Sequence, residues 1–131
     1  MTSPRRTPAV PESRTARGAR GGALAARLRA RHGYRVLERN YRTRAGEIDL
    51  VCRHGSCLVF VEVRTASGAG YGHPVESLTA AKRNRLWRTG LHYLTYRRPP
   101  QAMTRFDLVA IEMGSDGSLE RYQIVENILD S

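Results

Sequence analysis

The chain has 131 residues, and 22 Lys and Arg against 12 Asp and Glu give it a formal net charge of +10. That length suits one domain around one core. No segment approaches the about 20 apolar residues of a membrane span, and no apolar run follows the N-terminal arginines, so neither a membrane helix nor a secretory signal is expected and the expected compartment is the cytoplasm.

The excess of bases over acids points to a polyanionic partner. Lys82 is the only lysine. Arg binds phosphate bidentately and stacks on bases, so the composition suits nucleic acid. Codon bias in a GC-rich genome explains Arg in place of Lys, but not the surplus of positive charge.

Residues 1–19 are rich in Pro, Ser, Thr, Arg and Gly, with Val10 the only large aliphatic after Met1. They read as a disordered basic arm ahead of one domain over 20–131. Leu24, Leu28 and the alanines between them give a first helix its apolar side, and Gly33 is placed to end it. Tyr34 to Leu37 begins a first strand.

Two further strands follow, Gly46-Glu47-Ile48-Asp49-Leu50-Val51 and Leu58-Val59-Phe60-Val61-Glu62-Val63-Arg64, each with acid inside an apolar run. A carboxylate in a strand interior is costly unless it is paired, hydrogen-bonded or bound to a metal. Alternation puts Glu47 and Asp49 on one face of the first, and Glu62 and Arg64 on one face of the second. Gly55 in the short connection suits a hairpin turn, which brings Asp49 and Glu62 onto neighbouring strands. Two carboxylates with a cation suit a divalent metal acting on a phosphodiester. A buried ion pair, Glu62 with Arg64 or Asp49 with a distant Arg, is the structural alternative. Cys52 and Cys57 with His54 between them fall short of a tetrahedral zinc site, and they read as small apolar residues at the strand ends rather than a disulfide.

The segment from Ser67 to Pro74, with Gly68, Gly70 and Gly72, reads as a mobile loop beside the acids. Ser77 or Thr79 can cap a long helix that runs to about Tyr96 before Pro99 and Pro100. Leu86, Trp87, Gly90, Leu91 and Leu94 form its expected apolar stripe, with Trp87 in the core unless it lies at the helix edge, where it could stack on a base. Arg105 to Glu112 and Arg121 to Val125 read as strands around the turn Gly114-Ser115-Asp116-Gly117. Asp107 is expected to pair with an arginine in a structural role.

From about Gly18 to its end the chain resembles the YraN-type family of small bacterial proteins. The resemblance rests on Gly33-Tyr34-Arg35-Val36-Leu37, Arg39-Asn40-Tyr41-Arg42, Gly46-Glu47-Ile48-Asp49-Leu50, Val59-Phe60-Val61-Glu62-Val63, Tyr71-Gly72-His73-Pro74, Lys82 and Arg105-Phe106-Asp107. That family is similar to the PD-(D/E)xK nucleases, including Holliday-junction resolvases. The resemblance implies an α/β, restriction-endonuclease-like (tRNA endonuclease-like) mixed sheet flanked by helices. It also implies a metal-dependent endonuclease using Mg²⁺ or Mn²⁺, held by Asp49, Glu62 and the Val63 carbonyl.

Two positions depart from the family pattern. A Gly-Glu pair early in the first helix is replaced by Gly21-Gly22, and the lysine two residues after the strand glutamate is replaced by Arg64. Arg64 supplies charge but cannot give up a proton. The expected catalytic set is therefore Asp49, Glu62 and Arg64, with Glu47 as the substitute acid.

Arg39, Arg42 and Arg44 are expected to clamp phosphate, since they crowd the entry to the Asp49 strand. His73 and Lys82 are further candidates for phosphate contact, against the plain readings of a surface histidine and a lysine reaching to solvent. The expected partner is nucleic acid, DNA before RNA, with no membrane and with a homodimer left open. A binding module that has lost turnover is the competing reading, and a basic ribosome-associated protein is a third.

Overall fold

The computed structural model describes residues 14–67, 78–100 and 103–129. Within them the chain forms α1 (Arg14–Arg31), β1 (Arg35–Arg42), β2 (Glu47–His54), β3 (Cys57–Ser67), α2 (Ala80–Arg97), β4 (Met103–Met113) and β5 (Leu119–Val125). The strands make one five-stranded sheet in the order β1-β2-β3-β4-β5. Neighbours are antiparallel except β3 and β4, which run parallel in register from Cys57↔Met103 to Ser67↔Met113. A parallel pair needs a long crossover, and α2 lies in it. This is an α/β fold with a mixed sheet and a helix on each face, consistent with a restriction-endonuclease-like architecture.

Alternating side chains supply two cores. Leu50, Cys52, Val59, Val61, Val109 and Ile111 face α1, where Ala25 and Leu28 meet them. Val51, Leu58, Phe60, Phe106 and Leu108 face α2, where Leu86 and Tyr93 meet them. Gly90 lets α2 sit directly on the aromatics, since a Cβ there would stand 2.5 Å from Phe106 and 3.2 Å from Phe60.

Several expectations shift in detail. The helix α1 starts at Arg14, so residues 14–19 of the expected arm are helical; residues 1–13 lie outside the described residues. Gly33 follows α1 with φ +82°, as a C-terminal glycine should. The strand that follows, β1, runs on to Arg42 and includes Arg39 and Arg42. Thr79 caps α2 by accepting the Lys82 N–H at 3.2 Å. The apolar stripe of α2 is turned slightly from the expected one. Thr89 and Tyr93 are buried, whereas Trp87 and Leu91 are 51% and 44% exposed. Thr89 tolerates burial because its hydroxyl donates to the Arg85 carbonyl at 2.7 Å. Trp87 sits at the helix edge, its ring 6.0 Å from that of Phe106.

Asp107 is fully buried and structural, as expected. Arg105 donates to both its oxygens at 2.8 Å, Arg29 donates at 3.3 Å, and the Asn127 backbone N–H at 3.0 Å. The two cysteines are free, Cys52 buried and Cys57 half-buried at the hairpin. Among the described residues no helix is long and apolar enough to cross a membrane.

Candidate functional site

The site lies where β2 and β3 part. Their ladder runs from His54↔Cys57 to Leu50↔Val61. Beyond it, Asp49 takes over the role of the backbone, its Oδ2 accepting the Val63 N–H at 2.7 Å. In an antiparallel pair one residue turns both its N–H and its C=O toward the same neighbour. The Val63 carbonyl therefore shares the edge on which Asp49 sits.

A break in β2 creates this opening. Ile48 packs in the α2 core and Leu50 in the α1 core, so the alternation slips at Asp49. The pairs on either side are Tyr41↔Ile48 and Arg39↔Leu50, and Asn40 between them on β1 has φ +56°. Asn enters that left-handed region more readily than most residues. Regular alternation is thus not what places Glu47 and Asp49, yet both line one cleft.

That cleft, of about 320 Å³, lies beside α1 and is lined by Gly18, Ala19, Gly22, Asn40, Arg42, Glu47, Asp49, Val63 and Thr65. A second, of about 200 Å³, lies under α2 and is lined by Gly46, Glu47, Glu62, Leu78, Lys82, Arg85 and Leu86. Glu47 belongs to both walls, so the clefts adjoin at the open end of β2 and β3. Asp49 lines the first of these clefts and Glu62 the second.

Their charges nonetheless act on each other. Burial pushes the Glu62 carboxyl up to about 8, the Asp49 charge adds to the rise, and Arg64 and Lys82 oppose it. Burial also raises Asp49, to about 6, with Glu47 adding to the rise and the Val63 hydrogen bond and Arg42 opposing it. Two desolvated carboxyls, held above their ordinary range with cations at hand, form an arrangement expected of functional sites and also found in structural ion pairs. Arg64 and Lys82 are the cations whose charge reaches the Glu62 carboxyl.

The basic candidates divide between the clefts. Arg42 lines the α1 cleft and lies 3.3 Å from Glu47, with both side chains exposed enough that the pair is weak. Arg39 approaches the same side, its Nη2 3.3 Å from where a Gly22 Cβ would stand. Arg44 is exposed in the β1–β2 turn. Lys82 lines the α2 cleft, exposed, with its charge felt at Glu62. His73 lies outside the described residues. Arg85 and Asn40 were not singled out from the sequence. A Lys82/Arg85 spacing of i, i+3 signals the first, and an Asn between two strand residues hints at the second.

The two family departures occupy informative places. A Cβ on Gly21 would fall 1.9 Å from the Thr65 methyl, so that glycine permits α1 to approach β3. Gly22 lines the Asp49 cleft, and a Cβ there would meet only the flexible Arg39 side chain, at 3.3 Å, so an acid at this position would face the cleft once Arg39 gives way slightly.

A divalent ion is the cofactor the fold family implies, and the donors present suit it. They are hard oxygens, two carboxylates and a carbonyl. Among the described residues no three His, Cys, Asp or Glu side chains gather to cage a metal. Mg²⁺ is commonly held by one or two carboxylates plus water and substrate phosphate, so this set fits Mg²⁺ rather than a metal needing a full protein cage.

Comparison with known proteins places the chain in a family. A UPF0102 protein of Symbiobacterium thermophilum is 44% identical over 110 residues, covering 84% of this chain and 92% of its own. One from Moorella thermoacetica is 48% identical over 99 residues, covering 76% and 82%. One from Rhodococcus opacus is 42% identical over 97 residues, covering 74% and 82%. The model of the uncharacterised protein family UPF0102 matches residues 21–111, taking in β1 to β3, α2 and most of β4 together with every described candidate site residue, and the chain belongs to that family.

Proposed function

We propose that the protein binds nucleic acid, DNA before RNA, and hydrolyses phosphodiesters with a divalent metal. The observation that carries this reading is the pair of desolvated carboxyls at the parting of β2 and β3, each edged by cations.

Asp49, Glu62 and the Val63 carbonyl would hold the ion. A bound Mg²⁺ or Mn²⁺ supplies Lewis acidity and lowers the pKa of water at neutral pH. The protein's own groups do the rest. Arg64 and Lys82 set positive charge on the Glu62 side, where fixed cations stabilise charge gathering on phosphate oxygens. Arg39 and Arg42 can grip a neighbouring phosphate bidentately. Glu47, between the clefts, stands in for the absent helix acid. The start of α2 has no acidic residue in its first turn, so the helix dipole and Lys82 act there in the same sense on an anion.

Arg64 and Gly22 favour a second reading, a binding module of the same fold with weakened turnover. One panel separates the two. Branched, duplex and single-stranded DNA and structured RNA are tested for binding and cleavage with Mg²⁺, Mn²⁺ or chelator, using the parent, Asp49→Ala, Glu62→Ala and the double variant Gly22→Glu/Arg64→Lys. Metal-dependent cleavage, lost in both alanine variants and strongest in the double variant, is the expected result. Intact binding with an inert double variant leaves the binding module standing. Absence of binding at low salt overturns both.

A further inference from the structure

The helix α2 leads away from the candidate site without an Asp or Glu anywhere in it. Arg85, Arg88, His92 and Tyr96 are spaced i, i+3, i+7 and i+11, which sets them along one flank at 3.6 residues per turn. All four are exposed. This flank is not the one that packs: Leu86, Gly90 and Tyr93 turn to the sheet.

The flank begins at the site, because Arg85 lines the cleft with Glu62 and Lys82. It ends about 16 Å away on a pair of rings. Tyr96 is 70% exposed and stacks on His92, with centroids 4.3 Å apart and planes 28° apart. His92 Nδ1 in turn shares a hydrogen bond with the Tyr41 hydroxyl at 2.5 Å. The outer ring thus rests on one tied to the sheet and keeps its other face in solvent.

We propose that this flank is a single-strand track, on which Arg85 and Arg88 follow the phosphates leaving the site and Tyr96 stacks an unpaired base. The inference rests on the nucleic-acid reading of the site and gives it a substrate class, a nucleic acid with an unpaired strand beside the point of attack. A run of cations ending in an open aromatic face is how single strands are held without sequence preference. A flank of this length matches about five stacked nucleotides at 3.4 Å each. Charge complementarity favours this occupant over a second protein chain, which would find its apolar contacts on the other side of α2 at Trp87 and Leu91.

The test is fluorescence anisotropy of the full chain in chelator, so that nothing is cleaved, with a blunt duplex and with the same duplex carrying a single-stranded overhang. The parent binds the overhang more tightly than the blunt end. Tyr96→Ala weakens binding to the overhang about 10-fold, within the range of one stacked base, and leaves the blunt duplex unchanged. Tyr96→Phe keeps parental affinity; Tyr96→Leu, which still covers His92 but has no aromatic face, behaves as Ala does. Arg88→Ala lowers the salt slope on the overhang by about 1. Parental affinity in Tyr96→Leu, or equal losses on both substrates, overturns the track while the parent's binding upholds the nucleic-acid reading. A change in sedimentation of Tyr96→Ala would assign the flank to a second copy and overturn it too. A parent that binds neither substrate ends both proposals.

Discussion

Glu62 is half-hidden on β3 with its carboxyl pushed up to about 8 from an ordinary 4.5, and Asp49 is raised to about 6 from 3.8. A carboxyl raised on folding holds a proton that the unfolded chain would release, so stability falls as pH rises from the unfolded value through the folded one. For Asp49 the loss is complete a little above 6, and for Glu62 above about 8. Without divalent ions, the melting temperature should therefore fall between about pH 4 and about pH 8, and Glu62→Gln should remove the upper part of the fall. Metal binding needs the deprotonated pair, so added Mg²⁺ should raise the melting temperature more at high pH than at low. A flat profile in the parent would mean that these carboxyls are not desolvated. At the same scale, the two glycines of the pair differ: a Cβ on Gly21 would collide with Thr65, whereas one on Gly22 would meet only the flexible end of Arg39, at 3.3 Å.

At the scale of the element, β4 is tied down by Asp107 rather than by the site. Two guanidiniums and one backbone N–H converge on that fully buried carboxylate, joining α1, β4 and the segment after β5. Removing one partner of a buried ion pair leaves charge uncompensated and costs about 3–5 kcal/mol. Asp107→Ala should lose about that much in urea unfolding and, while folded, bind nucleic acid as the parent does. Weakened binding with unchanged stability would instead make Asp107 part of the interface. The helix α2 shows a second element-level effect: packing on Phe60 and Phe106 sets its rotation, through Gly90, by about the width of one residue from what hydrophobicity suggests.

For the whole molecule the surplus charge of +10 is the dominant field. Such a field attracts a polyanion from a distance and makes the affinity fall with salt. Arg39 and Arg42 stand on the α1 side of the sheet, Arg44 at the turn, and Lys82 and Arg85 on the α2 side, so charge surrounds both clefts. Replacing Arg39, Arg42 and Arg44 together by Ala should reduce the slope of log affinity against log salt by up to about 3 in a titration with duplex DNA. An unchanged slope would move the phosphate contacts elsewhere on the surface.

The sequence alone determined the order of elements, the hairpin that joins Asp49 to Glu62, a cap for α2 at Ser77 or Thr79, the glycine that ends α1 and an arginine partner for Asp107. Each of these depends on local signals, side-chain period, turn chemistry or a charge inside an apolar run, which few residues suffice to express. Only the tertiary structure decided that β2 slips at Asp49, that the two acids open into adjoining clefts and that Thr89 rather than Leu91 turns inward. The slip needs Asn40 on another strand in a left-handed conformation, and the rotation of α2 needs two aromatic rings from β3 and β4. Contacts between residues far apart in the chain leave no period in it, so they became legible only once the sheet was assembled.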